Sequence, residues 1–178
     1  MSPFKDILSQ EFRPYGELSD SQLCQLEAHY ELLLRWNKRI NLTRITDLQE
    51  AVRLHYCESL YAASVLPRET QTVADIGTGA GFPGIPIAIY RPEVLLTLVE
   101  SDQRKAVFLR EAARDLRNVT VCAQRAEILK EQFDILVSRA VRKEDVLALG
   151  ISKHVLILGS EGEPMPWGER RCLLRVGW

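Results

Sequence analysis

A glycine-rich segment carries the clearest chemical signal in the sequence: Asp75-Ile76-Gly77-Thr78-Gly79-Ala80-Gly81-Phe82-Pro83-Gly84. It follows the apolar run 73–76 and precedes the apolar run 85–90, so it joins a predicted strand to a helix. Glycines at such a turn let a ligand approach the backbone. Positions 79–84 also fit the dinucleotide pattern Gly-x-Gly-x-x-Gly, which alone is weak evidence.

Asp75 favours a different ligand from a dinucleotide. A carboxylate beside the loop repels a pyrophosphate, which binds to amide donors and positive charge, and suits a cationic amino-acid group. The spacing Asp-x-Gly-x-Gly-x-Gly is that of S-adenosylmethionine (SAM) enzymes. The candidate cofactor-binding residues here are Asp75, Gly77, Gly79 and Gly81.

Two segments after the next predicted strands add candidates for the same ligand. Glu100 ends a strand about 20 residues beyond the glycines, where an acid accepts hydrogen bonds from both ribose hydroxyls. That acid fits NAD as well as SAM, and only together with Asp75 does it favour SAM; a solvated strand end is the alternative. Ala126 and Glu127 follow the third predicted strand and are candidate adenine contacts, with a capped helix start as the alternative.

Arg139 stands at the end of the fourth predicted strand, within Ser138-Arg139-Ala140. Ligands of open α/β sheets bind at the carboxyl ends of the strands. Since a buried arginine is costly unless it is paired or meets an anion, we expect Arg139 to orient the cofactor, the substrate or both. A structural ion pair with Asp75 or Glu127 is the alternative.

Basic residues gather in two stretches that we expect at one cleft rim. The segment 32–46 has four bases and no acid, and the segment 104–125 has six bases against two acids. Trp36 and Asn37 add an aromatic ring and an amide, the groups that stack on and hydrogen-bond to RNA bases. Solvated helix faces with a buried Trp36 are the alternative.

Composition excludes several classes of protein. The 178 residues have a formal charge of −1 and are 46% hydrophobic, so disorder and indiscriminate coating of a polyanion are both excluded. No window of about 18 residues is free of charge, and the segment 1–11 lacks the apolar run of a secretory signal. The four cysteines lie far apart, which favours reduced thiols and no metal site in a cytoplasmic protein without a membrane partner.

The periodicity of apolar residues predicts the elements that position these groups. Residues 19–66 read as two amphipathic helices that start at Ser19 and Asp47. After Pro67 apolar runs alternate with helical patterns, which indicates an α/β domain with a mainly parallel sheet. We expect a helical N-terminal cap (1–67) packed as one unit on a core (68–178). Predicted strands cover 73–76, 94–99, 119–122, 133–137, 154–158 and 173–176, and predicted helices 85–90, 103–116 and 146–149.

Four segments carry a family resemblance. They are Trp36-Asn37-Lys38-x-x-Asn41-Leu42-Thr43, Arg53-Leu54-His55-x-x-Glu58-Ser59, Asp75-Ile76-Gly77-Thr78-Gly79-x-Gly81-Phe82-Pro83-Gly84-Ile85-Pro86 and Phe133-Asp134-x-x-x-Ser138-Arg139-Ala140. Together they resemble the small-subunit ribosomal RNA methyltransferase family known as RsmG or GidB. The resemblance covers roughly residues 17–141.

The resemblance implies a class I SAM-dependent methyltransferase, Rossmann-like with a mainly parallel sheet. Independently of the resemblance, we expect a monomer. It implies SAM as donor and N7 of one specific guanine as acceptor, in 16S rRNA or the small ribosomal subunit. By motif, Gly77 and Phe82 belong to the SAM loop, Ala126 and Glu127 flank the adenine, and Arg139 lies beside the cofactor. Candidate RNA-binding residues are Arg35, Asn37, Lys38, Asn41, Arg53, His55, Arg104 and Lys105, although His55 alone fits a hydrogen-bonded core histidine better.

The C-terminal part departs from the family pattern. Leu156-Ile157-Leu158-Gly159-Ser160 stands where the family has a strand ending in Lys-Gly, and the chain ends at Trp178, so we expect a shortened C-terminal part. Guanine N7 already has a lone pair, so we expect no acid or base catalyst, only Arg139 as a positioning residue. Alternatives are a SAM-dependent methyltransferase on another substrate, a nicotinamide-dependent oxidoreductase and a non-catalytic SAM-binding assembly factor.

Overall fold

Seven strands form one sheet in the computed structural model, which describes residues 2–178. They are β1 (Thr72–Ile76), β2 (Leu95–Val99), β3 (Val119–Cys122), β4 (Ile135–Arg139), β5 (His154–Gly159), β6 (Glu163–Pro164) and β7 (Cys172–Val176). The spatial order is β3-β2-β1-β4-β5-β7-β6. Strands β1 to β5 are parallel and β7 is antiparallel to both neighbours, so the predicted mainly parallel sheet is confirmed. Only the two-residue β6 lacks a predicted counterpart.

The strand order creates a crevice beside β1. Its two neighbours are β2 on one side and β4 on the other. The connection after β1 leads to β2, whereas the connection after β4 leads to β5 in the opposite direction across the sheet. Ile76 is in register with Val99 of β2 and with Ser138 of β4. The residues that follow these three strand ends therefore meet at one edge, which is the ligand-binding position of open α/β sheets.

Helices cover the sheet and build the cap. They are α1 (Pro3–Phe12), α2 (Asp20–Asn37), α3 (Leu48–Ala51), α4 (Glu58–Ser64), α5 (Gly84–Tyr90), α6 (Gln103–Ala112) and α7 (Lys143–Ala148), with a π-helical turn at Val52–Cys57. The two predicted starts in the cap are confirmed. Ser19 and Gln22 form a reciprocal capping box, and the Asp47 side chain accepts a hydrogen bond from the backbone N–H of Glu50 at 2.9 Å.

Three details of the helices differ from the prediction. Helix α1 was not predicted, although Phe4, Leu8 and Phe12 repeat at four-residue intervals and are all buried. The second predicted helix is interrupted by the π-helical turn, and the helix predicted to reach residue 116 ends at Ala112. Met1, the first residue of the predicted cap, lies outside the described residues.

The cap and the sheet share one hydrophobic cluster. Leu26, Leu33 and Tyr56 of the cap pack with Phe82 and Leu98 of the core, and all five side chains are at most 1% exposed. Burying each such side chain contributes about 1.5–3 kcal/mol, so this interface is a substantial part of the fold. The division at residue 67 stays a prediction. Across residues 2–178, every helix is too short or too polar to cross a lipid bilayer.

Candidate functional site

A cleft of about 250 Å³ lies at the carboxyl ends of β1, β2 and β3, and we call it the cofactor cleft. Gly77 and Glu100 line it from the first two strand ends, and Ala126 and Glu127 line it from a short 3-10 helix after β3. The structure thus brings together four of the predicted cofactor-binding residues from three separate segments of the chain. Val141, which follows β4, closes the opposite side.

Glu100 is fixed at the cleft by two backbone groups. Its Oε2 accepts a hydrogen bond from the N–H of Gly79 at 3.0 Å, and its Oε1 accepts one from the N–H of Asp102 at 2.9 Å. The side chain is 8% exposed. Since each carboxylate oxygen has two lone pairs, both oxygens can accept a further hydrogen bond from a ligand.

Gly77 has a backbone conformation that explains the residue type. Its φ is +66°, and a Cβ atom at this position would stand 2.6 Å from Cγ2 of Val141. A side chain would therefore strain the turn and displace the wall of the cleft.

Asp75 lies beneath the loop rather than on the wall of the cleft. Its side chain is fully buried, and Oδ2 accepts hydrogen bonds from Oγ1 of Thr78 at 2.6 Å and from N of Gly84 at 2.7 Å. Burial raises the pKa of Asp75 to about 6, although both hydrogen bonds oppose the shift. From the sequence, this carboxylate was expected to face the ligand. In the structure its hydrogen bonds instead connect the end of β1 to the loop and to the start of α5.

One oxygen of Asp75 remains without a partner. Among residues 2–178, Oδ1 is the only buried side-chain nitrogen or oxygen that forms no hydrogen bond. Buried polar groups are nearly always satisfied, so this oxygen is a place where a ligand or a water molecule would find an acceptor.

Phe82 and Gly81 also lie away from the cleft surface. Phe82 is 1% exposed and stacks on the ring of His55 with centroids 4.6 Å apart, and it meets Tyr56 edge-on at 5.1 Å. Gly81 is buried at the preceding position. Phe82 therefore anchors the glycine loop to the cap instead of contacting a bound nucleoside directly.

Arg139 forms hydrogen bonds to the cap and no ion pair within the described chain. Its Nη1 donates to the carbonyl oxygen of Leu54 at 3.1 Å and to Nδ1 of His55 at 2.9 Å, and its Cζ lies 5.1 Å from the centre of the Phe82 ring. Neither pair considered from the sequence, with Asp75 or with Glu127, is formed.

The guanidinium of Arg139 keeps unused donors. Burial lowers the pKa of Arg139 to about 10, which leaves it cationic at neutral pH. Nε and Nη2 donate no hydrogen bond to any residue of the described part. The next residue, Ala140, has a φ of +66°, which is uncommon for a residue with a side chain and marks a strained turn at this strand end.

His55 is a buried link between Arg139 and the loop after α2. It is 5% exposed, and its Nε2 lies 2.8 Å from Oγ1 of Thr43. Burial and the charge of Arg139 lower the pKa of His55 to about 3, so the ring is neutral. Because Arg139 donates to Nδ1, the ring proton sits on Nε2 and is donated to Thr43. The expected RNA contact of His55 is contradicted by this burial.

Two other predicted RNA contacts use their polar groups inside the protein. Asn37 Oδ1 accepts hydrogen bonds from the N–H groups of Leu42 and Thr43, and its Nδ2 donates to the carbonyl of Thr43. Arg53 donates through Nε and Nη2 to one carboxylate oxygen of Glu11. Asn37 therefore shapes the loop after α2, and Arg53 ties the π-helical turn to α1.

The remaining predicted RNA-binding residues line two adjoining surface hollows that share Arg39. Arg39, Asn41, Arg104 and Lys105 line a polar cleft of about 310 Å³, which we call the basic cleft. Asp102 also lines it, and its Oδ2 lies 3.6 Å from Nη2 of Arg104, so the cleft carries three basic residues and one acid. Arg35 and Lys38 line an adjoining hollow with Arg39 and Trp36. The two basic stretches of the sequence thus meet at one rim, as their charge pattern predicted.

His29 is a site residue that the sequence reasoning missed. It is 3% exposed, its Nε2 lies 3.0 Å from the carbonyl oxygen of Ala80 and its Nδ1 lies 2.9 Å from the hydroxyl of Tyr56. Burial lowers the pKa of His29 to about 4, so the neutral ring donates from Nε2 to Ala80 and accepts from Tyr56. Helix α2 thereby holds the glycine loop. One feature of the sequence could have indicated this role: His29 is a polar residue on the same face of α2 as Leu26 and Leu33.

Comparisons with solved structures show the fold. A coclaurine N-methyltransferase bound to N-methylheliamine and SAH superposes with a TM-score of 0.52 at 14% identity, over 92% of this chain and 62% of that one. A SAM-dependent methyltransferase from Aquifex aeolicus gives a TM-score of 0.51 at 16% identity, over 67% of this chain and 71% of that one. The predicted class I, Rossmann-like methyltransferase fold is confirmed.

Sequence comparisons show the family. The ribosomal RNA small subunit methyltransferase G of Desulforamulus reducens is 41% identical over 141 residues, which cover 74% of this chain and 59% of that protein. The protein of the same name from Bacillus subtilis is 39% identical over 140 residues, again 74% and 59% of the two chains. The chain thus spans about three fifths of the length of these curated relatives. The family model described as "GidB: rRNA small subunit methyltransferase G" matches residues 22–161, and the chain belongs to that family.

Proposed function

We propose that this protein binds SAM in the cofactor cleft and transfers its methyl group to N7 of one specific guanine of 16S rRNA. The observation that carries the proposal is the meeting of Gly77, Glu100, Ala126 and Glu127 in one cleft at the strand ends of a chain of this family. The printed names of its relatives, ribosomal RNA small subunit methyltransferase G, support ribosomal RNA as the substrate.

The residues of the cleft fit SAM. Glu100 has free lone pairs for the two ribose hydroxyls, and Gly77 leaves its side of the cleft open. Ala126 and Glu127 lie where the adenine would contact the backbone and a carboxylate. Asp75, with its unpartnered Oδ1 beneath the loop, adds negative potential on the side of a cationic ligand. When bound, SAM supplies an electrophilic methyl group on a sulfonium cation.

The protein's own contribution is positioning rather than proton transfer. Neutral guanine exposes a lone pair at N7, so no side chain needs to remove a proton. Holding N7 in line with the methyl–sulfur bond is worth several kcal/mol of activation free energy in comparable cases. Arg139 is the residue we assign to this role, because its Nε and Nη2 donors are free and Nη1 fixes the guanidinium on the cap.

We assign the basic cleft to the RNA backbone. Arg39, Arg104 and Lys105 present positive charge beside the exposed amide of Asn41, and phosphate contacts of this kind position a nucleic acid. The target guanine must leave its stack to reach a methyl donor, as other base-modifying enzymes require. The partner is 16S rRNA or the small ribosomal subunit, the site of action is the cytoplasm where ribosomes assemble, and the protein acts as a monomer. Sedimentation of the free protein tests the monomer.

Calorimetry tests the cofactor. We expect SAM and its demethylated product to bind the purified protein, with no binding of NAD. Binding of NAD alone would establish a nicotinamide-dependent oxidoreductase and contradict the proposal.

A modification map tests the substrate. Primer extension across 16S rRNA with and without the protein, after borohydride and aniline cleavage at 7-methylguanine, separates methylation of this RNA from a SAM-dependent methyltransferase acting on another molecule. Tight SAM binding without methylation of rRNA or of the small subunit in a single turnover would instead support a non-catalytic assembly factor.

A further inference from the structure

Two arginines from distant parts of the chain meet at the carbonyl oxygen of Leu54. Nη1 of Arg139 lies 3.1 Å from this oxygen, and Nη2 of Arg171, which immediately precedes β7, lies 3.3 Å from it. The π-helical turn makes the oxygen available, because the backbone N–H of Glu58 donates to the carbonyls of Arg53 and His55 instead. Two like charges therefore converge on one acceptor and need a counter-charge.

The carboxylate of Glu58 supplies that counter-charge. Among the described residues, only Arg171 donates hydrogen bonds to its two oxygens. The Glu58 side chain is 1% exposed. Nε of Arg171 donates to Oε1 at 2.7 Å and Nη2 donates to Oε2 at 2.9 Å, so both oxygens belong to one fork-shaped pair. Burial raises the pKa of Glu58, and the hydrogen bonds and charge of Arg171 oppose that rise, as does the nearby charge of Arg139, which forms no hydrogen bond with Glu58.

We propose that Arg171 is a positioning residue that keeps Arg139 out of a buried ion pair. By holding both oxygens of Glu58, Arg171 leaves Arg139 on Nδ1 of His55, with Nε and Nη2 free for the substrate or cofactor. The role of Arg139 in this inference rests on the proposed function. The hairpin of β6 and β7, which the sequence reasoning left without a function, thereby supports the site.

The alternative partner of Glu58 is close at hand. A buried carboxylate without a partner is strongly destabilising, so loss of Arg171 leaves Glu58 to be protonated or paired with another cation. Arg139 already donates to the Leu54 carbonyl that Arg171 shares, which makes it the nearest replacement. Once paired with Glu58, Arg139 would lose its bond to His55 and its free donors.

A double-substitution experiment separates this role from simple stabilisation. Arg171→Met should lower kcat for methyl transfer about tenfold while the Kd for SAM changes less than about threefold, since only the positioning of Arg139 is lost. Adding Glu58→Gln removes the competing carboxylate and should restore kcat to within about threefold of the wild type. The exposed neighbour Arg170→Met is the matched control and should leave kcat unchanged.

Unchanged kcat in Arg171→Met, or a double variant as impaired as the single one, would overturn the proposal. If Arg171→Met does not fold, the double variant decides alone, because a neutral pair of similar volume is tolerated in place of a buried ion pair. Its kcat should stay within about threefold of the wild type, and a loss of tenfold or more would refute the proposal.

A crystal structure of a folded single variant gives a readout that needs no activity. The Arg139 guanidinium should form an ion pair with Glu58, and a guanidinium that stays on Nδ1 of His55 would contradict the inference. Where the wild type transfers no methyl group, the proposed function fails. The crystal structure of Arg171→Met, or of Arg171→Gln if the first variant does not fold, then still decides whether Arg171 controls the position of Arg139.

Discussion

Arg139 at the end of β4 donates a 2.9 Å hydrogen bond from Nη1 to Nδ1 of His55 in the cap. The His55 ring stacks on Phe82 of the glycine loop, and the Arg139 guanidinium lies over the same ring. Strand end, glycine loop and cap are therefore joined at one point. The cap, which supplies Arg39 and Asn41 of the basic cleft, is attached to the loop that borders the cofactor cleft.

Substitution of Arg139 tests its role in orientation. Arg139→Ala removes the guanidinium and leaves Nδ1 of His55 without its donor, so we expect kcat for methyl transfer to fall about a hundredfold. The Kd for SAM should rise less, because the cleft walls are unchanged. Arg139→Lys keeps the charge without the planar fork and should recover only part of the activity. Full turnover by Arg139→Ala would remove this residue from the mechanism.

Glu100 tests the assignment of the cofactor cleft. Glu100→Gln removes the charge and one acceptor oxygen, so the Kd for SAM in calorimetry should rise about tenfold or more. Glu17→Gln, an exposed substitution in the turn before α2, is the control and should bind SAM as the wild type does. Equal affinities for both variants would show that the ribose hydroxyls bind elsewhere.

The basic cleft predicts a salt-dependent affinity for RNA. Replacing Arg104 and Lys105 together by Gln removes two cations, so the slope of log affinity against log salt should become shallower by roughly one to two. Calorimetric affinity for SAM should be unaltered. Arg68→Gln, exposed just before β1 at the opposite edge of the sheet, serves as the control. If the control changes the slope and the double substitution does not, the RNA approaches from the other side.

Burial of the neutral His29 ring predicts part of the decrease in the free energy of unfolding at acid pH. The pKa of His29 falls from 6.5 to about 4 on burial, so the unfolded state binds the proton more tightly. Stability from this group is therefore present above pH 6.5 and is lost as the pH falls through about 4, which amounts to about 3 kcal/mol. His29→Gln should remove this part of the pH dependence of the free energy of unfolding, measured with urea at pH 7, 5.5 and 4.

The pH experiment has an internal reference. Ser21→Ala, at an exposed position on the same helix α2, replaces no titratable group and should keep the pH dependence of the wild type. Asp75 contributes in the opposite direction, because its pKa is raised to about 6 and its ionisation disfavours the fold as the pH rises. Asp75 and His55 are common to all three proteins, so the difference between variants isolates His29. Parallel curves for His29→Gln and the wild type would contradict a neutral buried imidazole.

Local sequence patterns predict the helices and strands of this fold better than they predict the contacts between those helices and strands. The strand ends at Ile76 and Val99 and the helix start at Ser19 follow from local patterns of apolar and capping residues, and all three are confirmed. The four-residue spacing of Phe4, Leu8 and Phe12 also indicates a helix, but the sequence prediction did not include α1.

Side-chain roles that depend on the cap could not be derived from spacing. His29 and Ala80 are 51 positions apart, and no local pattern indicates their hydrogen bond. Asp75 was expected to face the ligand because its motif places it in the sequence just before the glycine loop. In the structure Thr78 and Gly84 instead donate hydrogen bonds to one of its oxygens beneath the loop. The π-helical turn, which frees the Leu54 carbonyl for Arg139 and Arg171, is likewise set by tertiary contacts.

The central claim is the transfer of a methyl group to ribosomal RNA, and one measurement tests it most directly. The full chain is incubated with tritiated SAM and unmodified 16S rRNA, or small subunits that contain it, and the labelled base is identified by mass spectrometry and primer extension. We predict one labelled methyl group per RNA, on N7 of a single guanine. Absence of label from both substrates, or label on another base or ring atom, would contradict the account.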